Sequence, residues 1–275
     1  MKPLSVVGPS DAGVTTVVEG LAERLAEQGR VATIEHLGSA PTLETGRSDA
    51  GRYREAGAAR TCGITDAGGW VATGEALTLE DALAELAPSF DYALVAGESG
   101  ADLPTVALGG CDHAGETLQA ALDADAVDPE AVVDALEGVE PYETLESLAQ
   151  RARESPAAEY AGAVATFTGR VRRKDDADDV PTERLEFEKY EGVADERMAA
   201  IRSDLRDREG VHEVLLHHRT GVVEAGEDIV HVVVLAGHRR EAFRAVEDGI
   251  DRLKEEVPLF KKEITVEDAH WAHER

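Results

Sequence analysis

Leu4-Ser5-Val6-Val7-Gly8-Pro9-Ser10-Asp11-Ala12-Gly13-Val14-Thr15-Thr16 reads as a short apolar strand, a glycine-bounded turn and the start of a helix. Val18, Leu21 and Leu25, with neighbouring alanines, continue at helical spacing. Val31 to Ile34 and Tyr92 to Val95 are further short apolar runs, and Leu79 to Leu86 is helical. Strands alternating with helices predict an α/β domain with a mostly parallel sheet. The turn has the spacing of a phosphate-binding loop, G-x-x-x-x-G-K-[ST], which makes Gly8, Gly13, Thr15 and Thr16 its candidate nucleotide-binding residues. Backbone amides at a helix start face an anion, and Thr15 stands where a magnesium-binding hydroxyl belongs. Val14, however, occupies the lysine position, so no fixed ammonium offsets charge between the β- and γ-phosphates. Weak nucleotide binding through the amides, and a turn that only packs the helix on its strand, both stay open. GTP or Mg at this loop is a poor fit.

The second half reads differently. Gly162 to Arg172, Arg184 to Tyr190, Val211 to His218 and Asp228 to Ala236 are predicted strands. Met198, Ile201 and Leu205 mark one helix, and Phe243, Val246, Ile250, Leu253 and Val257 a second. This half is predicted to be α+β with mostly antiparallel strands. Between the halves, Thr117 to Gln150 is rich in Ala, Asp and Glu, with Asp128-Pro129 and Glu140-Pro141 as breaks. The predicted organisation is therefore a P-loop-like domain over 1–115, an acidic helical connector over 116–142 and a second domain over 143–275.

The 275 residues carry 56 Asp and Glu against 28 Lys and Arg, a formal charge of −28. A field this negative repels phosphate backbones and anionic lipid heads, which argues against nucleic-acid and membrane-surface binding. Only six of the basic residues are lysines, a composition suited to concentrated salt, where screening relieves self-repulsion. Full folding and activity without added salt would refute that hypothesis. Cys62 and Cys111 are far apart and outside any C-x-x-C arrangement, which argues against a disulfide framework or cysteine zinc site. They read as small buried residues. His217-His218 and His270-x-x-His273 lack accompanying ligands at zinc spacing, so no metal site is expected. The longest apolar stretch, Ile229 to Gly237, is too short and too polar to span a bilayer, and no signal-peptide pattern opens the chain. The expected location is the cytoplasm.

Positive charge clusters in four places: Arg170-Val171-Arg172-Arg173-Lys174, His238-Arg239-Arg240, Lys254, and Lys261-Lys262-Glu263. Three of the six lysines fall within 254–262. In so acidic a chain, such concentration at element ends suggests a specific anionic ligand. Each cluster also has a plainer use. The arginine run can be a solvated loop paired with the aspartates that follow it. His238 can simply begin a helix, and Lys254 can complement a helix dipole.

Residues 2–110 resemble the MobB-like accessory protein of molybdopterin guanine dinucleotide biosynthesis, a P-loop GTP-binding family. The likeness rests on the glycine loop, on Ser48 to Arg60, and on Asp91-Tyr92-Ala93-Leu94-Val95-Ala96-Gly97. Val14 replaces the family's lysine and Ala96 its usual acid, both losses to nucleotide chemistry. From about residue 145 to the end, four ordered motifs resemble the large, catalytic subunit of molybdopterin synthase, the MoaE family, with its α/β-hammerhead fold. They are Phe167-Thr168-Gly169-Arg170-Val171-Arg172, Leu185-Glu186-Phe187-Glu188-Lys189-Tyr190, Ala236-Gly237-His238-Arg239, and Leu253-Lys254 through Val257-Pro258 to Phe260-Lys261-Lys262-Glu263.

This second resemblance implies sulfur transfer. A small ubiquitin-like partner inserts its Gly-Gly C-terminus as a thiocarboxylate, and two transfers onto cyclic pyranopterin monophosphate give molybdopterin. Lys254 and Lys261 match the family's catalytic lysines, suited to stabilising oxyanions and moving protons; whether Lys254 also acts covalently stays open. Arg170, Val171, Arg172, His238, Arg239, Lys262 and Glu263 match substrate-binding positions, and Arg275 matches a C-terminal segment that reaches a neighbouring subunit's site. An antiparallel homodimer with a small subunit at each end is implied, and no cofactor is needed for the transfer. Two other functions compete. One is a nucleotide-binding scaffold with a non-catalytic docking half, the other a non-catalytic binder of ubiquitin-like proteins.

Overall fold

Strand β1 (Lys2–Val7) is the middle of a five-stranded parallel sheet, and its buried residues explain why the apolar opening run is so strict. Gly13 follows at φ 86°, a left-handed turn that an L side chain disfavours, and starts α1 (Val14–Ala26). Val17, Leu21 and Leu25 form the buried stripe of α1, each fully buried leucine contributing about 2 kcal/mol. Next come β2 (Val31–Glu35), α2 (Asp49–Glu55) and a hairpin of β3 (Arg60–Ile64) with β4 (Trp70–Gly74). Helix α3 (Leu79–Leu86) starts on a Thr78–Asp81 capping box and leads into β5 (Tyr92–Ala96), β6 (Thr105–Leu108) and β7 (Thr117–Ala121). The strand order is β2-β5-β1-β6-β7, all parallel, as the strand–helix alternation predicts.

Residues 116–142 are not a connector. Strand β7 pairs with β6, and α4 (Pro129–Glu137) buries Val132, Val133 and Leu136 in the same core as α1. Its acidic surface hides an apolar stripe that makes the segment part of the sheet's covering layer. The chain divides at Tyr142/Glu143 into two compact units, where the second domain is predicted to begin, so the segment belongs to the first unit. The computed structural model describes residues 1–38, 49–174, 176–177, 179–190, 192–265 and, as backbone only, 269–272. Among the described residues no helix is long and apolar enough to cross a membrane.

The second unit is α+β. It begins with α5 (Leu145–Arg153), then β8 (Ala163–Arg170), β9 (Thr182–Lys189), α6 (Val193–Arg206) and β10 (Val211–His218). Strands β11 (Gly221–Glu224) and β12 (Asp228–Ala236) precede the long α7 (Arg239–Glu256), and β13 (Leu259–Thr265) and β14 (Ala269–Ala272) end the unit. Two antiparallel sheets result, ordered β10-β12-β8 and β11-β9-β13-β14. Helices α6 and α7 cover one face of the first sheet through Ile201, Leu205, Val246, Ile250 and Leu253, and α5 covers the other through Leu148 and Ala152. The buried stripe of α7 keeps the predicted Val246, Ile250, Leu253 and Val257 but differs at its start. Phe243 is 66 % exposed, while Ala242, Ala245 and Gly249 lie inside. A Cβ at Gly249 would stand 3.2 Å from Val232 Cγ1 and 3.4 Å from Leu205 Cδ1, so small residues set how closely α7 approaches the sheet. Neither cysteine is buried. Cys62 lies exposed on β3, outside the main sheet, and Cys111 is partly exposed after β6.

Candidate functional site

The glycine loop retains the shape of an anion-binding turn but not its charge. Thr15 and Thr16 are exposed in the first turn of α1, whose start lacks a side-chain cap. Val14, in the lysine's place, packs against the first unit's core. The Ala12 N–H is turned to the Pro9 carbonyl at 2.9 Å, closing the loop on itself, and the Ala12 carbonyl accepts from the Ala124 N–H at 3.0 Å. Gly8 and Gly13 are held tightly, since a Cβ on either would lie under 3 Å from Leu108 or Ala124. At the end of β5, the Glu98 carboxylate faces His36 Nδ1 at 2.9 Å. A triphosphate would find helix-end amides here, one of the loop amides already engaged and no ammonium group in the loop.

Five Lys and Arg residues of the second unit gather around a cavity of about 880 Å³. Its floor is apolar, built from Phe167, Leu185, Phe187, Ile250, Leu253 and Leu259. Arg170, Arg172, Lys174, Lys254 and Lys261 line it, opposed by the carboxylates of Asp179 and Glu263. Such a wall suits a ring system carrying negative substituents. Lys254 arrives on the last turn of α7, anchored by the buried Leu253 beside it and followed by the break at Pro258. Lys261 arrives on β13, directly opposite Phe187 of β9. Alternation along β13 puts Glu263 on the same face as Lys261, opposite Leu185. Lys262 lies between them in sequence and therefore points to the other face, where it meets Glu186 at 3.2 Å.

Arg170 has structural partners as well, its Nε 3.0 Å from Asp228 and its guanidinium donating to the Gly226 carbonyl. Val171 is 2 % exposed and packs with Leu185, Phe187 and Val223, so it roots the basic loop and contributes no side chain to the cavity wall. His238 and Arg239 are exposed at the opposite end of α7. From Arg239 to Lys254 is fifteen residues of one helix, roughly 22 Å at about 1.5 Å per residue. The cavity of one copy therefore excludes them. Arg275 lies outside the described residues. Two wall residues escape sequence reasoning. Thr182 is buried at the start of β9, and His218 ends β10 with Nδ1 2.7 Å from the Arg219 carbonyl and its ring edge-on to Phe187. The phase of β10 could have separated His218 from His217, since neighbours in a strand face opposite sides. Thr182 has no such local signal. His217 stacks near His231 instead, and burial pushes its imidazole down to about 4.

Residues 140–256 match the family model described as MoaE protein, and residues 3–124 match that of molybdopterin guanine dinucleotide synthesis protein B. A protein of Haloferax volcanii named probable molybdopterin synthase is 50 % identical over 272 residues, covering 99 % of this chain and 100 % of that one. The molybdopterin synthase catalytic subunit of Pyrococcus abyssi is 39 % identical over 110 residues, 40 % of this chain and 73 % of its own length. Among solved structures, molybdopterin synthase from Staphylococcus aureus is 35 % identical with a TM-score of 0.43, covering 50 % of this chain and 94 % of that one.

Proposed function

This chain belongs to the molybdopterin synthase family, and we propose that its second unit is the catalytic part, transferring sulfur from the thiocarboxylate of a small ubiquitin-like partner to cyclic pyranopterin monophosphate. The observation that carries the proposal is the lining of one cavity, where Lys254 and Lys261 stand over an apolar floor beside Arg172. Both reactants are anions, and in so acidic a chain they need a local cationic site before they can meet. Arg172 suits the bidentate grip of a phosphate, and the two ammonium groups suit charge that develops on oxygen as sulfur adds. The apolar floor receives the pterin ring. Sulfur arrives on the partner, so the chain supplies charge and proton-handling groups and needs no cofactor of its own for this step.

His238 and Arg239 complete the anion site from a second copy, as does Arg275, in an antiparallel homodimer bearing a small subunit at each end. The first unit acts as a nucleotide-free scaffold, which the closed loop and Val14 support over a GTP-dependent accessory role. The cytoplasm, where thiols and the thiocarboxylate stay reduced, is the compartment this chemistry suits. The test is to mix the chain with thiocarboxylated small subunit and cyclic pyranopterin monophosphate and measure molybdopterin. Lys254→Ala and Lys261→Ala should each lower turnover by about 100-fold or more with the fold unchanged. Wild-type turnover in both variants would show the site to be wrongly placed.

A further inference from the structure

We infer that Thr182 is a positioning residue of the cavity, a latch that ties the loop bearing Arg172 and Lys174 to the strand bearing Lys261. Its consequence for turnover rests on the sulfur-transfer reading above; its structural part does not. Thr182 is 6 % exposed, and a buried hydroxyl requires a partner. The side chain donates to Glu263 Oε1 on β13. Its backbone N–H donates to the Arg173 carbonyl at 2.8 Å. One residue therefore holds the basic loop through its main chain and the lysine strand through its hydroxyl.

The other flank of Arg172 is fixed too. The Val171 N–H donates to the Glu227 carbonyl and the Val171 carbonyl accepts from the Gly226 N–H, each at 2.9 Å, while the Val171 side chain sits in an apolar cluster. Arg172 is thus held by main-chain hydrogen bonds at both neighbours, which limits how far its guanidinium can wander from Lys261. Pre-orienting a cation in this way lowers the ordering cost when an anion binds.

The latch also accounts for Glu263. A carboxylate in the wall of a site for anions opposes binding by simple Coulomb repulsion. Glu263 shares a face with Lys261 and accepts the Thr182 hydroxyl, so its place in the wall follows from holding the loop. It acts on substrate through Thr182 and the loop, not by contact.

Thr182→Val removes the hydroxyl and keeps the branched shape. In the full chain with its small subunit, KM for cyclic pyranopterin monophosphate should rise about tenfold with kcat within about twofold, and Thr182→Ser should restore KM, because the loss is of one ordering contact. Amide hydrogen exchange over residues 170–174 should quicken in Thr182→Val and, from the other side of the latch, in Glu263→Ala. Unchanged exchange in both variants overturns the latch, and so does quickened exchange with an unchanged KM. If Thr182→Val does not fold, exchange in Glu263→Ala still decides the matter. A wild-type chain that makes no molybdopterin refutes the sulfur-transfer reading instead, and exchange, which needs no turnover, then judges the latch by itself.

Discussion

The histidine pair beneath α5 makes the second unit's stability depend on pH in a direction the structure dictates. His217 and His231 stack with ring centroids 6.3 Å apart, and His231 Nδ1 lies 3.2 Å from the Thr168 hydroxyl. Burial lowers both imidazoles, His217 to about 4; His231, His218 and Arg219 push it the same way, and Glu143 opposes them. The folded pKa lies below the unfolded one, so the unfolded chain takes up the proton first. The stabilising contribution is complete above the ordinary histidine value of 6.5 and is lost as pH falls toward 4. At about 1.4 kcal/mol per pH unit, His217 alone removes about 2 kcal/mol between about pH 7.5 and pH 5, and His231 adds to the loss. The assay is urea unfolding at fixed high salt in a Trp70→Phe background, where the remaining tryptophan, Trp271, belongs to the second unit. His217→Asn should keep about 2 kcal/mol more of its stability than the parent over that pH interval. Parallel losses in the two proteins would refute the assignment of the pH dependence to this half-buried ring.

Two further outcomes follow from the placement of the basic residues. Lys262→Ala should change turnover by less than about threefold, because β13 turns Lys262 away from Lys261 and toward Glu186, in a partly exposed ion pair outside the cavity; a loss matching that of Lys261→Ala would contradict the face assignment. Arg239→Ala and Lys254→Ala, each expected to be inactive alone, should regain part of the wild-type rate when mixed and allowed to exchange subunits, since in the proposed dimer a hybrid holds one intact site. No recovery, with subunit exchange demonstrated by mass, would mean that Arg239 does not serve a neighbouring cavity.

Much of the fold is legible in the sequence because burial writes a strong local pattern. Strands β10 and β12 have the predicted bounds, Val211–His218 and Asp228–Ala236, since β12 is apolar almost throughout and β10 alternates beside it. The β3–β4 hairpin is not legible, because Ile64, Trp70 and Val71 stay exposed and no inward face imposes alternation. Strand β7 hides for the opposite reason, its short Thr117–Ala121 run lying in an acidic stretch that suggests helices. On α7 the predicted Val246, Ile250, Leu253 and Val257 are buried, and Phe243 alone of the five is not. Ala242, Ala245 and Gly249 take the inner stripe, where close approach to the sheet counts for more than side-chain size, and Phe243 is left outside.

The candidate site separates along the same physical line. Residue types at Lys254 and Lys261 can be read from sequence, but their convergence depends on the turn at Pro258 and on the pairing of β9 with β13, which are tertiary facts. Two geometric rules sort the rest. Adjacent residues of a strand cannot share a face, which parts Lys262 from Lys261. The ends of one eighteen-residue helix cannot share a small-molecule pocket, which parts His238 and Arg239 from Lys254. If His238 and Arg239 serve the same ligand as Lys254, as the proposed function has it, that ligand is as long as the helix or a second copy of the chain supplies them. The cavity's volume of about 880 Å³ is that of a small-molecule site, too compact for a ligand spanning the helix, which favours the second copy proposed above over a longer ligand.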